Sequence, residues 1–178
     1  MGDEFAQFIE WDEKKELDWF LDEYEAHHGM SEYVKKLNHI YQRFRALYEI
    51  DDGWDGFEWR MADDRDNSVI AFVRQSRPWR GRVQKILCVM NFTPVPREHY
   101  WIAMPERGQL RCILNSDAKR FYGSGYPIKT QLSVDGGELW GCPASVEMTL
   151  PPLSAVYYEF VPENIPAKRR QTQKHGGK

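Results

Sequence analysis

Residues 57–75 read FEWRMADDRDNSVIAFVRQ. Two β-rich runs, FEWRM (57–61) and SVIAFVRQ (68–75), flank the Asp, Arg and Asn residues of 63–67 that turn the chain. This is where the hydrophobic period changes from the helical 3.6 to the strand period of 2. The same signature recurs downstream in KILCVMNF (85–92), YWIAM (100–104), LRCIL (110–114), SVEMTL (145–150) and AVYYEF (155–160). Turn formers separate the runs, among them Arg77 to Gly81, Thr93 to Pro96, Arg107-Gly108 and Pro151-Pro152. Short strands at regular spacing with no helical pattern between them predict a mainly β, antiparallel sandwich over 56–161. The interval 115–144 is rich in Gly, Ser and Pro and reads as one long loop.

Upstream, SEYVKKLNHIYQRFRALY (31–48) places Tyr33, Val34, Leu37, Ile40, Tyr41, Phe44, Leu47 and Tyr48 at steps of three and four. That spacing predicts an amphipathic helix, with Gly29 and Ser31 as its entry turn. A lone helix cannot bury such a stripe, and most of the surface it needs is expected to lie outside the chain. The expected organisation is a first unit over 1–50, the sandwich over 56–161, and a disordered basic tail over 162–178. Five of the last eleven residues are Lys or Arg.

A hydrophobic share of 42% beside 29% charged residues fits a soluble protein with a core. Charge is unevenly spread. Residues 1–66 hold 19 acidic and 8 basic side chains, and residues 67–178 hold 8 acidic and 16 basic. The basic excess is scattered over strands or confined to the tail, which argues against a nucleic-acid partner. No apolar run approaches the ~18 residues of a bilayer span, and no basic and apolar leader marks a secretory signal. Neither membrane nor export is expected. Cys88, Cys112 and Cys142 are odd in number and far apart, as expected of free thiols in a reducing cytosol.

Catalytic constellations are missing. There is no glycine-rich phosphate loop before a helix, no G-x-S-x-G and no H-E-x-x-H. His27 and His28 are adjacent and cannot share a helical face, so neither a metal site nor a cofactor is expected. Asp51-Asp52 and Asp63-Asp64 lie in turns, where such side chains cap their own backbone. Seven Trp and nine Tyr exceed what a core of this size requires. Alternation puts Trp59 on one face with Phe57 and Met61, and two readings stay open: a ring buried in the sheet, or a platform for the C–H face of a sugar. Trp54 and Trp79 lie in turns and are surface candidates.

The opening, MGDEFAQFIEW (1–11) followed by LDW (17–19), is acidic and aromatic where a terminus is usually polar. With VKKLN (34–38), FEW (57–59), NFTPVPR (91–97), LNSD (114–117), YGSG (122–125) and LPPLSA (150–155), in that order, it resembles the bacterial 1,4-alpha-glucan (glycogen) branching enzymes of the α-amylase superfamily. The likeness runs from Met1 to about Glu159 and implies the C-terminal part of such an enzyme. Residues 1–50 then match the loop after the last strand and the final helix of a (β/α)8 barrel, and 56–161 match the C-terminal all-β domain. The implied activity is a retaining transfer. A carboxylate attacks the anomeric carbon of an α-1,4 glucan, a second carboxyl serves as acid and then base, and a glucan 6-hydroxyl accepts the chain.

In that family the catalytic carboxylates precede this segment, so the resemblance assigns no catalytic residue here. Asp3, Glu4 and Asp12 match loop positions of the barrel rim. The resemblance implies structural support of the barrel, which is the expected protein partner, and accessory contact with α-glucan through Trp59 first and Trp11 second. It also implies a cytoplasmic location and no branching by this piece alone. The chain departs from the family where Asp3 and Asp12 replace the usual Gln and Asn, and where 129–144 lacks a common HGR pattern. A stand-alone carbohydrate-binding module and another amylase-superfamily transferase, such as a maltosyltransferase, are the rival readings.

Overall fold

The computed structural model describes residues 1–163, so the expected basic tail lies outside the described residues apart from Pro162 and Glu163. One long helix, α1 (Glu25–Arg43), precedes eight strands: β1 (Phe57–Asp64), β2 (Val69–Gln75), β3 (Lys85–Asn91), β4 (Arg97–Met104), β5 (Gly108–Asn115), β6 (Gln131–Val134), β7 (Ala144–Leu150) and β8 (Ser154–Pro162). Six of them form one sheet in the order β1-β2-β3-β8-β5-β6, and β4 and β7 form a second. Every pairing is antiparallel. The sandwich expected from the alternation is present. The seven anticipated strands each appear, while β6 lies inside the stretch read as a loop.

The interior fills from both layers. Val69, Ala71, Val73, Leu87, Val89, Val156 and Tyr158 of the large sheet meet Ile102, Met104, Val146 and Met148 of the small one. Along β8, buried Ser154, Val156, Tyr158 and Phe160 alternate with half-buried Ala155, Tyr157 and Glu159. β3 differs, for Ile86, Leu87, Cys88 and Val89 are all buried. A continuous apolar run of this kind signals a strand covered on both faces.

The second cover is α1. Ile40 and Phe44 are buried with Ala46 against Ile86, Cys88 and Leu114, with Phe72 and Tyr157 packed alongside. The expectation that most of the helical stripe needs a surface outside the chain is therefore corrected. The outward faces of β2, β3, β5 and β8 supply it, leaving Tyr41 and Tyr48 exposed. The helix also starts six residues earlier than its periodicity indicated. Gly29 lies inside it rather than at its entry. It ends at Phe44, whose extended backbone (φ −107°, ψ 101°) leads into a single 3-10 turn, Arg45–Leu47. Apolar surface that does stay open lies further upstream, where Phe8, Trp11, Trp19, Phe20 and Tyr24 are exposed. No helix among the described residues is long and apolar enough to cross a membrane.

Candidate functional site

β1 is an edge strand, and its outward face carries a row of aromatic rings. Trp59 is 47% exposed. Its indole meets Phe57 edge-on, with centroids 4.8 Å apart, and Phe72 at 5.9 Å, while Phe57 stacks on Phe72 at 5.1 Å. Trp54, in the turn before the strand and 81% exposed, stands 6.1 Å from Phe57. Each ring is held by a neighbour's edge or face, a geometry aromatic quadrupoles favour. The held rings still present open area to solvent.

A β-bulge sets this arrangement. Trp59 pairs with Phe72, but Met61 pairs with Ala71, so Arg60 is an extra residue. The phase of the strand reverses there. Met61 packs against the sandwich interior, and Trp59 stays on the outside with Phe57. Simple alternation, which placed all three on one face, is corrected by that one residue. The platform reading of Trp59 survives, and the ring is not buried in the sheet.

Polar groups flank the row. Arg74 donates from Nη2 to the Ile50 carbonyl (2.9 Å) and to Asp51 Oδ1 (3.0 Å), and Gln75 Nε2 donates to the Asp55 carbonyl (2.7 Å). Beside Phe72, a groove of about 310 Å³ runs between α1 and the sheet, lined by Leu37, Tyr41, Leu47, Arg74 and Tyr157. Burial pushes the Tyr157 phenol well above its ordinary value, so it stays protonated. Such a surface can stack an apolar sugar face and exchange hydrogen bonds with hydroxyls.

The second sequence candidate, Trp11, is 50% exposed but stands apart from Trp59. The segment carrying it is tied to the first half of α1. Phe8 meets His27 edge-on at 5.0 Å, and the His27 ring bonds the Phe5 carbonyl at 2.8 Å. Phe72 and the Trp59 cluster sit by the last turns of the same helix. Nineteen residues span about 28 Å, so the structure does not bring the two indoles together. Trp79 is engaged by cations, with the Arg80 and Arg45 guanidinium carbons 4.5 and 5.9 Å from its ring centre. Trp54 joins the row for a reason the sequence holds: W-D-G-F-E-W delivers three rings across one tight turn into an edge strand.

The acidic residues near the start serve the local backbone. Glu4 accepts the Gly2 N–H at 3.0 Å, and backbone hydrogen bonds, from its own amide and that of Gly2, lower its pKa. Asp12 accepts from the Lys14 N–H at 3.0 Å. Asp64 likewise accepts the Asn67 N–H (3.1 Å), as expected of a turn carboxylate. His28 faces Asp22, and no cluster of metal-ligating side chains exists among the described residues. The three cysteines are unpaired.

Comparison with known proteins agrees with this architecture. Residues 59–161, from Trp59 to Val161 in the last strand, match the family described as alpha amylase, C-terminal all-beta domain. Over 160 residues, 90% of the chain, the sequence is 42% identical to the 1,4-alpha-glucan branching enzyme GlgB of Photobacterium profundum and 44% identical to that of Aliivibrio fischeri. It is 44% identical over 157 residues to the same-named enzyme of Aquifex aeolicus. The chain spans 22–24% of the length of these curated relatives. With a two-layer antiparallel sandwich matched from its first strand to its last, the chain belongs to the alpha amylase C-terminal all-beta domain family.

Proposed function

We propose that this chain serves as the C-terminal portion of a cytoplasmic 1,4-alpha-glucan branching enzyme. In this reading a catalytic barrel contributed by other residues cleaves an α-1,4 glucan and passes the chain to a 6-hydroxyl through a covalent intermediate. The present residues brace that barrel and hold glucan outside its active site, with Trp59 as the principal platform and Trp11 as a second contact. The observation that carries the reading is the reach of the similarity to branching enzymes. It covers 90% of the chain and so extends well ahead of the β domain, into the helix and the exposed rings that precede it. Exposed apolar surface of that size usually marks an interface, and Phe8, Trp11, Trp19 and Phe20 suit the flank of a barrel.

A chimera tests it. This chain replaces the corresponding segment of the Aquifex aeolicus enzyme, and branching of amylose is followed by the fall in iodine absorbance and by α-1,6 linkages counted after debranching. The chimera is expected to branch, and the chain alone is not. Trp59→Ala in the chimera is expected to raise KM for long glucan several-fold while kcat holds. A folded chimera without activity, or branching by the chain alone, would refute the proposal. One observation favours a stand-alone glucan-binding module instead, namely that the chain's own sheet covers Ile40 and Phe44. Tight glucan binding by the chain together with an inactive chimera would select that alternative.

A further inference from the structure

The small sheet carries its own aromatic groove, on the layer opposite Trp59. Trp101 of β4 pairs with Glu147 of β7 on the side away from the interior and is 44% exposed. The chain after β6 returns over it. Gly136 passes so close that a Cβ there would lie 3.0 Å from the Trp101 ring, and Ser145 Oγ pins the passage by donating to the Gly137 carbonyl at 2.8 Å. Beyond this a tight hairpin, closed by reciprocal backbone bonds between Leu139 and Cys142 (3.0 and 2.9 Å), lifts Trp140 to its tip, 59% exposed. Arg60 Nη1 lies 3.8 Å from Cys142 Sγ and so ties this hairpin to the bulge of β1. Trp101 and Trp140, with Asp64, Asn67, Glu98 and His99, line an open groove of about 440 Å³.

Two features indicate that the groove is built rather than incidental. Trp140 has φ +49° and His99 has φ +55°. The left-handed region is costly for residues with a Cβ, and positions of this kind in a two-residue hairpin normally hold Asn, Asp or Gly. Non-glycine residues held there can mark ligand sites; among the described residues five others share the conformation, Arg80 of the Trp79–Arg82 hairpin included, and Trp140 and His99 are the two that line one groove. The second feature is chemical. Two indoles supply flat apolar area, while Asp64, Glu98, Asn67 and His99 supply acceptors and donors at the edges. Arg97 also lines the groove, but the carboxylates of Asp64 and Glu98 offset its charge, so the lining does not favour a phosphate ligand. Hydroxyl-rich rings with apolar faces satisfy both halves of the lining, and two indoles in one groove suit successive units of a chain.

We infer that this groove is a second carbohydrate-binding site, taking an α-glucan chain across Trp101 and Trp140. The choice of an α-glucan rests on the branching-enzyme reading, whereas the choice of a carbohydrate rests on the lining. With Trp59 on the other layer, the sandwich would grip one polymer, or two branches of it, from both sides, and linked sites raise avidity well above either alone.

The test labels the full chain with 15N at the indole N–H groups, assigns the seven cross-peaks by single substitutions, and titrates maltoheptaose. The Trp101 and Trp140 peaks are expected to shift together and saturate, and to do so equally in Trp59→Ala. Trp140→Ala, at an exposed tip, is expected to leave the melting temperature unchanged and to weaken the Trp101 response at least tenfold. A Trp101 and Trp140 pair that stays still while Trp59 responds would overturn the inference and leave the proposed function standing. A responding pair with a silent Trp59 would uphold the groove and remove Trp59 from the proposed function. A response to cellohexaose but not to maltoheptaose would overturn the assignment of an α-glucan.

Discussion

Asn91 is buried, and every hydrogen-bonding position of its side chain is used. Its amide donates to the carbonyls of Val95 (2.8 Å) and Pro151 (2.9 Å), and its oxygen accepts from the Thr93 amide (3.0 Å) and hydroxyl (2.8 Å). One residue thus stitches the NFTPVPR turn to the LPPLSA turn. Asp117 does the same within the β5–β6 connection, where it accepts from the Ser124 amide and hydroxyl (both 2.7 Å) and from the Tyr126 amide (2.9 Å). In the NFTPVPR, LPPLSA and LNSD motifs, Asn91 and Asp117 therefore serve as backbone knots. Asp64 is poised differently. It takes the Tyr100 hydroxyl at 2.6 Å as well as the Asn67 amide. Burial draws its pKa up, but these bonds and the Arg97 charge outweigh burial, and the net direction is down. A depressed carboxyl stabilises the fold above its unfolded pKa of about 3.9 and loses that contribution as pH falls through the folded value. Asp64→Asn is expected to cost about 1–2 kcal/mol at pH 7, and the gap to the parent is expected to shrink below pH ~4. Urea titrations at pH 7 and pH 3 measure it, and an unchanging gap would show that the charge contributes nothing. Tyr100 mirrors this. Burial first, and then the Asp64 carboxylate, push its phenol up. Its contribution is full below the unfolded value of about 10 and fades as pH rises through the folded one.

At the level of the element, α1 shows how one contact can reset a boundary. Gly29 sits one turn into the helix, where an added Cβ would lie 2.8 Å from the Phe121 carbonyl carbon and 2.9 Å from Tyr122 Cβ. The 3-10 turn Lys119–Phe121 lies directly on the helix there, and Tyr33 meets the Phe121 ring edge-on at 5.5 Å. In an open helix Gly29→Ala would gain about 1 kcal/mol of propensity. Here the obstacle is backbone, and overpacking costs roughly 1–3 kcal/mol. The variant is expected to be less stable and to lose the Tyr33–Phe121 contact, as read by its melting temperature and aromatic chemical shifts. A higher melting temperature would mean that the turn yields freely. The same contact explains what could be read from the sequence. Ile40 and Phe44 announce a helix because burial imposes their spacing. A glycine that a neighbour requires looks, in one dimension, like an entry turn. The strands were legible wherever alternation ran for five residues or more. β6 was not, since its four residues offer only Leu132 and Val134 as buried positions. Trp59 was legible as a ring on the first strand, but its side of the sheet was not, because the bulge at Arg60 leaves no compositional trace. Trp140 carries no signal of its place in the fold, because its hairpin is closed by a single bridge between Leu139 and Cys142.

Across the whole molecule, one six-stranded sheet serves two cores. Among the described residues, seventeen buried apolar side chains fill the space between the layers, whereas six hold α1 to the outer face. Because apolar area scales roughly with burial energy, the two interfaces differ severalfold in strength. The helical cover should open before the sandwich does, as a sub-global unit of the kind seen in native-state exchange. Cys88 reports on that opening. It lies on β3 beneath the helix, and burial pushes its thiol pKa up to about 12. It is inert to alkylation while covered, since the thiolate is the reactive form. Val89, the next residue, faces the inner core instead. With rising urea, pulsed thiol labelling of Cys88 is expected to begin at a concentration below that at which the Val89 and Val156 amides lose protection. Simultaneous exposure of thiol and amides would instead make helix and sandwich one cooperative unit. The expected order has a functional corollary. If α1 opens first, the groove between helix and sheet beside Phe72 widens while the Trp101–Trp140 groove, built wholly on strands and their loops, keeps its shape. Maltoheptaose binding at that second groove should therefore persist in urea that already exposes Cys88, a result that parallel indole-shift and thiol-labelling titrations would reveal.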